Sequence, residues 1–494
     1  MDRDSESPLV VEYPGGEEVP AVAWPMLLRK RIGRHVRESD RYRWWVLWTA
    51  LAGLFATGFT ITILAVSLGD VARDLGASET ALTWTVTGPF LALALSMPLF
   101  GKIGDVRGHR RVYLIGLAGF TVATFLTALA WNGSSLIAIR TLGAIPGAAT
   151  GPASMALIMR AFPEEDRVKA MGWWSLVGAG APVLGLVAGG PLVDAIGWRA
   201  IFLLQTPIAL VALLVAIPIL HETPRMERES IDYAGAVTLA VATVGALLGL
   251  SVGSQIGWTQ PLVLGLFATA PVALALFVVV ERRAEHPLLP LRFFTERNFT
   301  ASLVAQFTSN FGYMGGFIVT PLLMERIFGF TVAATSLAMI CRPLSFSVSS
   351  PVAGYVAVRV GERRASVVGC VLVVVSMGCF ALGATTESLA LVFGALVLSG
   401  LGLGTSQPSL ISSAANAVET ESLGVANAAQ VMVTQIGVVS GIQVLSIVQG
   451  GASSTGSFTL AYLAGGIVAV LGIVGAAFVQ SADRPARLSV AEAA

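Results

Sequence analysis

Long apolar runs alternate with short polar breaks along almost the whole chain. From residue 45 onward, stretches of roughly 20 apolar residues recur, the length a helix needs to cross a hydrocarbon core. Fourteen are read. The first six are 45–68, 80–100, 112–131, 135–161, 168–190 and 200–220. Two more follow at 233–253 and 261–280. The last six are 299–323, 332–356, 365–384, 389–414, 424–448 and 458–479. Each predicts a spanning helix, so the expected fold is an all-α integral membrane protein.

The break at residues 101–112 reads GKIGDVRGHRRV, a charged turn punctuated by glycines. A degraded copy lies 253 positions later, where Gly354, Gly361, Arg363 and Arg364 stand for Gly101, Gly108, Arg110 and Arg111. Val358 replaces Asp105, so the acid is kept in one copy only. A repeated turn inside repeated hairpins predicts two related halves, an architecture common among transporters. The runs at 233–253 and 261–280 have no counterpart in the repeat. The layout is therefore six spans, a pair, then six.

Lysine and arginine set the threading. With the N-terminus inside, inner segments hold 26 of the 31 and outer loops hold only Arg73, Arg199 and Arg326. The other two, Arg140 and Arg342, fall within spans. That split follows the positive-inside rule and puts both termini in the cytoplasm. The predicted organisation is a cytoplasmic tail at 1–43, a six-helix bundle at 44–220, two linker helices with their loops at 221–298, a second bundle at 299–480, and a cytoplasmic tail at 481–494.

Residues 1–23 are acidic and proline-bearing and read as disordered. Residues 24–43 carry Arg29, Lys30, Arg31, Arg34, Arg37, Arg41 and Arg43 beside apolar positions. They read either as an interfacial helix on an anionic leaflet or as a plain topology anchor. No signal peptide precedes the first run, which is expected to stay uncleaved.

Composition agrees. Of 494 residues, 55% are hydrophobic and 12% charged, against roughly 25% charged in soluble domains. The three cysteines, Cys341, Cys370 and Cys379, all lie in apolar runs and suit buried thiols rather than disulfides or zinc. There is no lysine-bearing phosphate loop, nucleophile elbow or metal-ligand cluster. An enzyme or ATP-driven pump is not expected, and neither is a cofactor or nucleic acid.

At this point the sequence resembles the major facilitator superfamily, specifically its fourteen-span drug:proton antiporter branch. Three stretches carry the resemblance. Residues 101–112 are similar to the family's signature turn after span two. Residues 136–149 (LIAIRTLGAIPGAA) resemble its arginine-bearing span-four motif, with Gly143 where glutamine is usual. Residues 178–190 (GAGAPVLGLVAGG) resemble the span-five motif of drug antiporters, with Ala181 in place of a glycine. Residues 198–207 and 287–294 also look like this branch. The branch usually has an aspartate midway along span one, and here Thr60 stands at that place.

The resemblance implies roles residue by residue. Gly101, Asp105, Arg107, Gly108, Arg110 and Arg111 would form a latch that holds the halves together in one state of an alternating-access cycle. The alternative is a solvated turn that only sets topology. Ala181, Pro182, Gly185, Gly189 and Gly190 would shape span five. The four-residue spacing of Ala181, Gly185 and Gly189 puts them on one helix face and permits close backbone approach, with or without a gating role. Spans one, four, nine and twelve would surround a central cavity. Its candidate substrate and coupling residues are Thr60, Arg140, Gln306, Asn310, Arg342, Gln407 and, nearby on span thirteen, Gln435.

None of the thirty acids falls in the middle of a span, and all four histidines lie on the inner side. The usual embedded proton carrier is missing. Protons would use Asp70, Asp105 or Glu325, or transport would be uncoupled. Arg342 has no carboxylate partner within the spans; it would attract an anionic substrate or lipid head group, or be held by carbonyls and polar side chains.

The function expected is export of small amphipathic drugs or metabolites by proton antiport, from a monomer in the plasma membrane of a bacterium. A carrier of lipids or an anionic compound, uncoupled or atypically coupled, is the alternative. A non-transporting receptor on the same fold ranks third.

Overall fold

Apolar runs of this length fold as helices because each backbone N–H and C=O must find its partner within the segment when no water is at hand. The computed structural model describes residues 10–12, 18–20, 41–59, 68–77, 82, 84–223, 232–450 and 454–481. Its helices begin with α1 (Tyr42–Gly58), α2 (Leu68–Leu75), α3 (Trp84–Arg107), α4 (His109–Ala128), α5 (Gly133–Ala148), α6 (Thr150–Ala161) and α7 (Glu164–Ile219). The next pair is α8 (Tyr233–Ile256) and α9 (Pro261–Arg283). Then come α10 (Arg297–Arg326), α11 (Val332–Met339), α12 (Cys341–Val360), α13 (Glu362–Thr385), α14 (Leu389–Asn416), α15 (Leu423–Gln449) and α16 (Thr455–Phe478). The protein is an all-helical membrane protein. Among the described residues nine stretches are long and apolar enough to cross a membrane by length and composition alone.

Glycine does specific work at the breaks. Within α7, Gly197 has φ +78° and ψ 156°, so the assigned helix is two helices meeting at a glycine-only conformation. That break separates the apolar runs 168–190 and 200–220. Gly108 and Gly361, equivalent in the two copies of the charged turn, have φ +97° and +95° and each precedes the first residue of a helix. The repeat keeps these glycines because an L side chain would be strained there.

Helices α1 and α3–α7 pack on one another, and α10 and α12–α16 form a second group. The groups meet where α7 crosses α12 and α14, and where α3 and α6 cross α15. The α8–α9 hairpin leans through α8 on both α3 and α15. Large apolar side chains such as Ile115, Leu142, Val272 and Ile467 stay exposed on the outer faces, as suits a lipid-facing surface.

Residues 10–12 and 18–20, expected to be disordered, instead pair as antiparallel strands β1 (Val10–Glu12) and β2 (Glu18–Pro20), with Val11 opposite Val19. β-Branched Val10, Val11 and Val19 flank the turn-forming sequence Pro14-Gly15-Gly16, a pattern that favours a short ribbon. The basic segment at 24–40 lies outside the described residues. From its end, Arg43 pairs with Asp166 at 3.0 Å.

Candidate functional site

Asp105 lies in the last turns of α3 and is 1% exposed, an uncommon place for an acid. Its partners explain it. Oδ1 accepts from the backbone N–H of Gly424 at 3.0 Å and Oδ2 from that of Val425 at 2.9 Å. Those are the second and third residues of α15, whose own N-cap residue, Ser422, makes no side-chain cap. A carboxylate from the first helix group thus caps a helix of the second. The first N–H groups of a helix have no internal partner, and its positive dipole end favours an anion.

The glycines let the backbones approach. A Cβ on Gly101 would lie 2.6 Å from the Gly424 carbonyl oxygen and 2.8 Å from Ala428 Cβ. His109, four positions after Asp105 and the first residue of α4, is fully buried. Its Nε2 donates to Asp105 Oδ1 at 2.9 Å and its backbone N–H donates to Thr223 Oγ1 at 3.0 Å. Arg160 reaches within 4.0 Å of Asp105 and donates to the Glu421 carbonyl at 3.3 Å. Arg167 donates to Asn416 Oδ1 of α14 at 2.7 Å. The sequence reading missed His109, Arg160 and Arg167. For His109 the four-residue spacing from Asp105 was the available signal.

The turn's arginines serve the first helix group. Arg110 donates to the Leu220 and Ile217 carbonyls at 2.7 and 2.8 Å, capping the end of α7. Arg111 stands 3.7 Å from Glu222, and Arg107 is exposed. Of the expected latch residues, Asp105 and Gly101 bridge the two groups, while Gly108, Arg110 and Arg111 hold α4 against the end of α7.

The second copy makes a comparable crossing by close backbone contact, with Val358 where the first copy has Asp105. A Cβ on Gly354 would lie 2.7 Å from the Val168 carbonyl, and one on Gly172 would lie 2.6 Å from that of Ser350. Val358 packs with Val168, Ala357 and Ala365. Here α7 carries Glu164, Glu165 and Asp166 in its own first turn. Its N-terminus already has acids, and none need arrive from Val358.

Along α7, Ala181 is buried 3.3 Å from where a Cβ on Gly58 of α1 would stand, and Pro182 lies 3.7 Å from the same point. Gly185, Gly189 and Gly190 continue that helix.

Thr60 lies outside the described residues. Gln306 and Asn310 of α10 are buried, and Gln306 heads an amide chain. Gln306 Nε2 donates to Gln430 Oε1 at 3.1 Å, and Gln430 Nε2 donates to Asn427 Oδ1 at 3.2 Å. Thr434 donates to Gln306 Oε1 at 3.4 Å, and Asn310 donates to the Gln306 carbonyl at 2.8 Å. Gln407 is buried, and among the described residues neither its Nε2 nor Asn427 Nδ2 has an acceptor. Gln435 is half-buried on α15. The chain runs along α15 toward the turn that Asp105 caps.

The two arginines within the spans part company. Arg140 of α5 is half-buried, with Nε 3.5 Å from the Thr85 carbonyl and its guanidinium 5.5 Å from the Phe202 ring centre. Arg342 of α12 is wholly buried inside the second helix group. It lies over the Tyr313 ring at 3.8 Å, and Nη2 donates to the Tyr313 carbonyl. Gly316 makes room for the guanidinium. Nε and Nη1 have no acceptor among the described residues.

The family model described as Major Facilitator Superfamily matches residues 50–238 and 231–442. The Tetracenomycin C resistance and export protein of Streptomyces glaucescens is 30% identical over 406 residues, covering 82% of this chain and 75% of that one. The Puromycin resistance protein pur8 of Streptomyces alboniger is 30% identical, with 86% and 84% covered. Multidrug resistance protein 3 of Bacillus subtilis is 27% identical, with 81% and 78% covered. Among solved structures, the human organic anion transporter MFSD10 (TETRAN) aligns with a TM-score of 0.62 at 17% identity, covering 88% of this chain and 99% of that one. That last likeness is one of fold.

Proposed function

The chain belongs to the Major Facilitator Superfamily of membrane transporters, and we propose that it is a fourteen-span, alternating-access exporter of amphipathic drugs or metabolites that works by proton antiport. On this reading it is a monomer in a bacterial plasma membrane. Its spans are arranged six, two, six, with both termini cytoplasmic. The observation that carries the reading is the cap Asp105 places on α15. It is a contact between the two helix groups, at the end where basic residues gather. A helix cap is worth about 1 kcal/mol, weak enough to break within a transport cycle. The drug-resistance relatives support export as the direction. The buried amides of α10 and α15, beside Phe307 and Phe311 with ring centres 6.3 Å apart, support an amphipathic cargo.

A second reading, a carrier of lipids or an anionic compound, has one specific support. Arg342 is a buried cation with two N–H donors unpartnered and no carboxylate beside it among the described residues. Reconstituted vesicles with a pH-sensitive dye and a panel of cationic, neutral and anionic amphiphiles test both. Substrate-evoked proton movement is the expected result. Movement of an anion alone, without protons, would favour the second reading and overturn the first.

A further inference from the structure

The sequence places Glu281 in a polar loop, in the stretch Glu281-Arg282-Arg283-Ala284-Glu285 that ends α9. The structure turns it inward. Glu281 is 4% exposed while Arg282 and Arg283 beside it are exposed. An acid at a helix C-terminus opposes the helix dipole, so the position needs another reason. Its Oε1 accepts from the backbone N–H groups of Leu288 and Leu289 at 3.1 and 3.3 Å, and its Oε2 is buried with no partner among the described residues.

A second carboxylate is arranged in the same way. Asp232 caps α8, with Oδ1 accepting from the Gly235 N–H at 2.8 Å and Oδ2 buried with no partner among the described residues. Gly235 separates the two acids. A Cβ there would lie 2.5 Å from Asp232 Oδ2 and 2.8 Å from Glu281 Oε1, so those oxygens are within about 5.3 Å of one another. Among the described residues, the charged groups that act on Glu281 are Asp232 of α8 and Lys102 of α3, the latter 5% exposed. The faces of α10 and α15 at this junction are apolar.

Each acid therefore spends one oxygen on backbone N–H groups and leaves the other bare and out of water. A buried acceptor without a donor costs roughly 1–3 kcal/mol, and two carboxylates this close repel. With Lys102 charged, the three groups sum to one negative charge. A single proton supplies a donor and brings that sum to zero. We propose that Glu281, facing Asp232, is a proton-binding site of this transporter, set in the linker hairpin rather than in the central polar region.

The position would let a proton act on the latch. Leu288 and Leu289, held by Glu281, pack in one cluster with Leu239 of α8 and with Val425 and Ala426 of α15. Val425 is one of the residues Asp105 caps. Lys102 is three positions from Asp105 on α3. α8 thus rests on both helices that the latch joins. Glu281 supplies the titratable group that the spans lack at mid-membrane; this coupling role rests on the proton-antiport reading above.

The test uses the full chain in lipid vesicles. Infrared difference spectra recorded across a pH titration are expected to show a protonated-carboxyl band in the wild type that is absent in Glu281→Gln and displaced along the pH axis in Asp232→Asn. An unchanged band in Glu281→Gln overturns the site. In transport, with ethidium as the probe, Glu281→Gln is expected to lose at least tenfold of pH-gradient-driven accumulation while keeping ethidium–ethidium counterflow. Loss of counterflow as well assigns Glu281 to packing and overturns its coupling role. Wild-type transport without proton movement would sink the antiport reading, and the infrared band would still decide whether Glu281 binds a proton.

Discussion

Asp105 accepts a 2.9 Å hydrogen bond from the backbone N–H of Val425, 320 residues later in the chain. The geometry is that of a helix N-cap supplied from outside the helix. It couples closure of the two helix groups to the satisfaction of α15's first turn, so separating the groups would bare two N–H donors and leave Asp105 with His109 and Arg160 of its own group. Asp105→Asn keeps the shape and one acceptor oxygen but removes the charge that favours the helix N-terminus. A cap is worth about 1 kcal/mol. We expect initial transport rates to fall several-fold with the same panel of compounds recognised. Altered selectivity, measured across that panel, would put Asp105 in the binding pathway instead.

Gly101 and Gly424 make the crossing by close backbone contact, so size alone should block it. Gly101→Ala places a methyl group 2.6 Å from the Gly424 carbonyl, where backbone has to move. Transport should drop at least tenfold while membrane insertion stays normal. Gly178→Ala is the control, because nothing lies within 4 Å of its added Cβ. If both variants transport alike, the contact is not part of the cycle.

The second copy of the turn supplies a test by restoration. Val358→Asp would recreate the acid of the first copy, but α7's first turn already holds three acids. We expect like-charge repulsion and the loss of the Val358–Val168 packing, costing about 1–2 kcal/mol from apolar burial alone. A thermal melt in detergent should drop by a few degrees. An increase would mean that the missing acid, not the acids of α7, decides this site.

Far from the latch, Asp74 pairs with Arg199 and accepts from Trp198 Nε1 at 3.1 Å. The Arg199 hydrogen bond first, then that of Trp198, holds the Asp74 carboxyl below its usual value. A lowered value means that the pair's contribution is present above the unfolded value near 3.8 and fades as pH falls through the folded one. The pair is exposed on both sides, so solvent screening limits it to roughly 0–1 kcal/mol. The stability difference between wild type and Asp74→Asn should be small at pH 7 and should shrink as pH falls below 3.8 and through the lowered folded value. A difference that grows on acidification would reverse the sign argued here.

How far these contacts were legible follows from their range. Helices were readable because the bilayer imposes one length on every span, and the glycine pair 108 and 361 was readable because a repeat preserves what only glycine can do. The charged turn announced itself, but its division of labour did not. Nothing local says that Arg110 caps its own half while Asp105 reaches across. His109, Arg160 and Arg167 took their places through contacts 100 to 260 positions distant or through a turn that looked merely basic. Glu281 read as a loop acid because hydropathy cannot see a side chain folded under its own helix end. The valines of β1 and β2 were outweighed by the charge around them.

Arg342 is the residue on which structure and sequence press hardest. A charge at the centre of a bilayer costs roughly 2.5–3.5 kcal/mol on insertion scales, and among the described residues no carboxylate pairs with the buried Arg342. Tyr313 supplies a ring face and a carbonyl, which answers part of the need and leaves Nε and Nη1 bare. Replacing a poorly compensated buried charge with an apolar side chain of similar size is often neutral or stabilising. Arg342→Met is therefore expected to melt at the wild-type temperature or above it. Arg342→Ala should insert normally, and both variants should abolish transport. Stability kept with transport lost would show that the guanidinium is retained for the cycle. Wild-type flux from Arg342→Met would remove it from the mechanism, and a sharply lowered melting temperature would make it a packing residue of the second helix group.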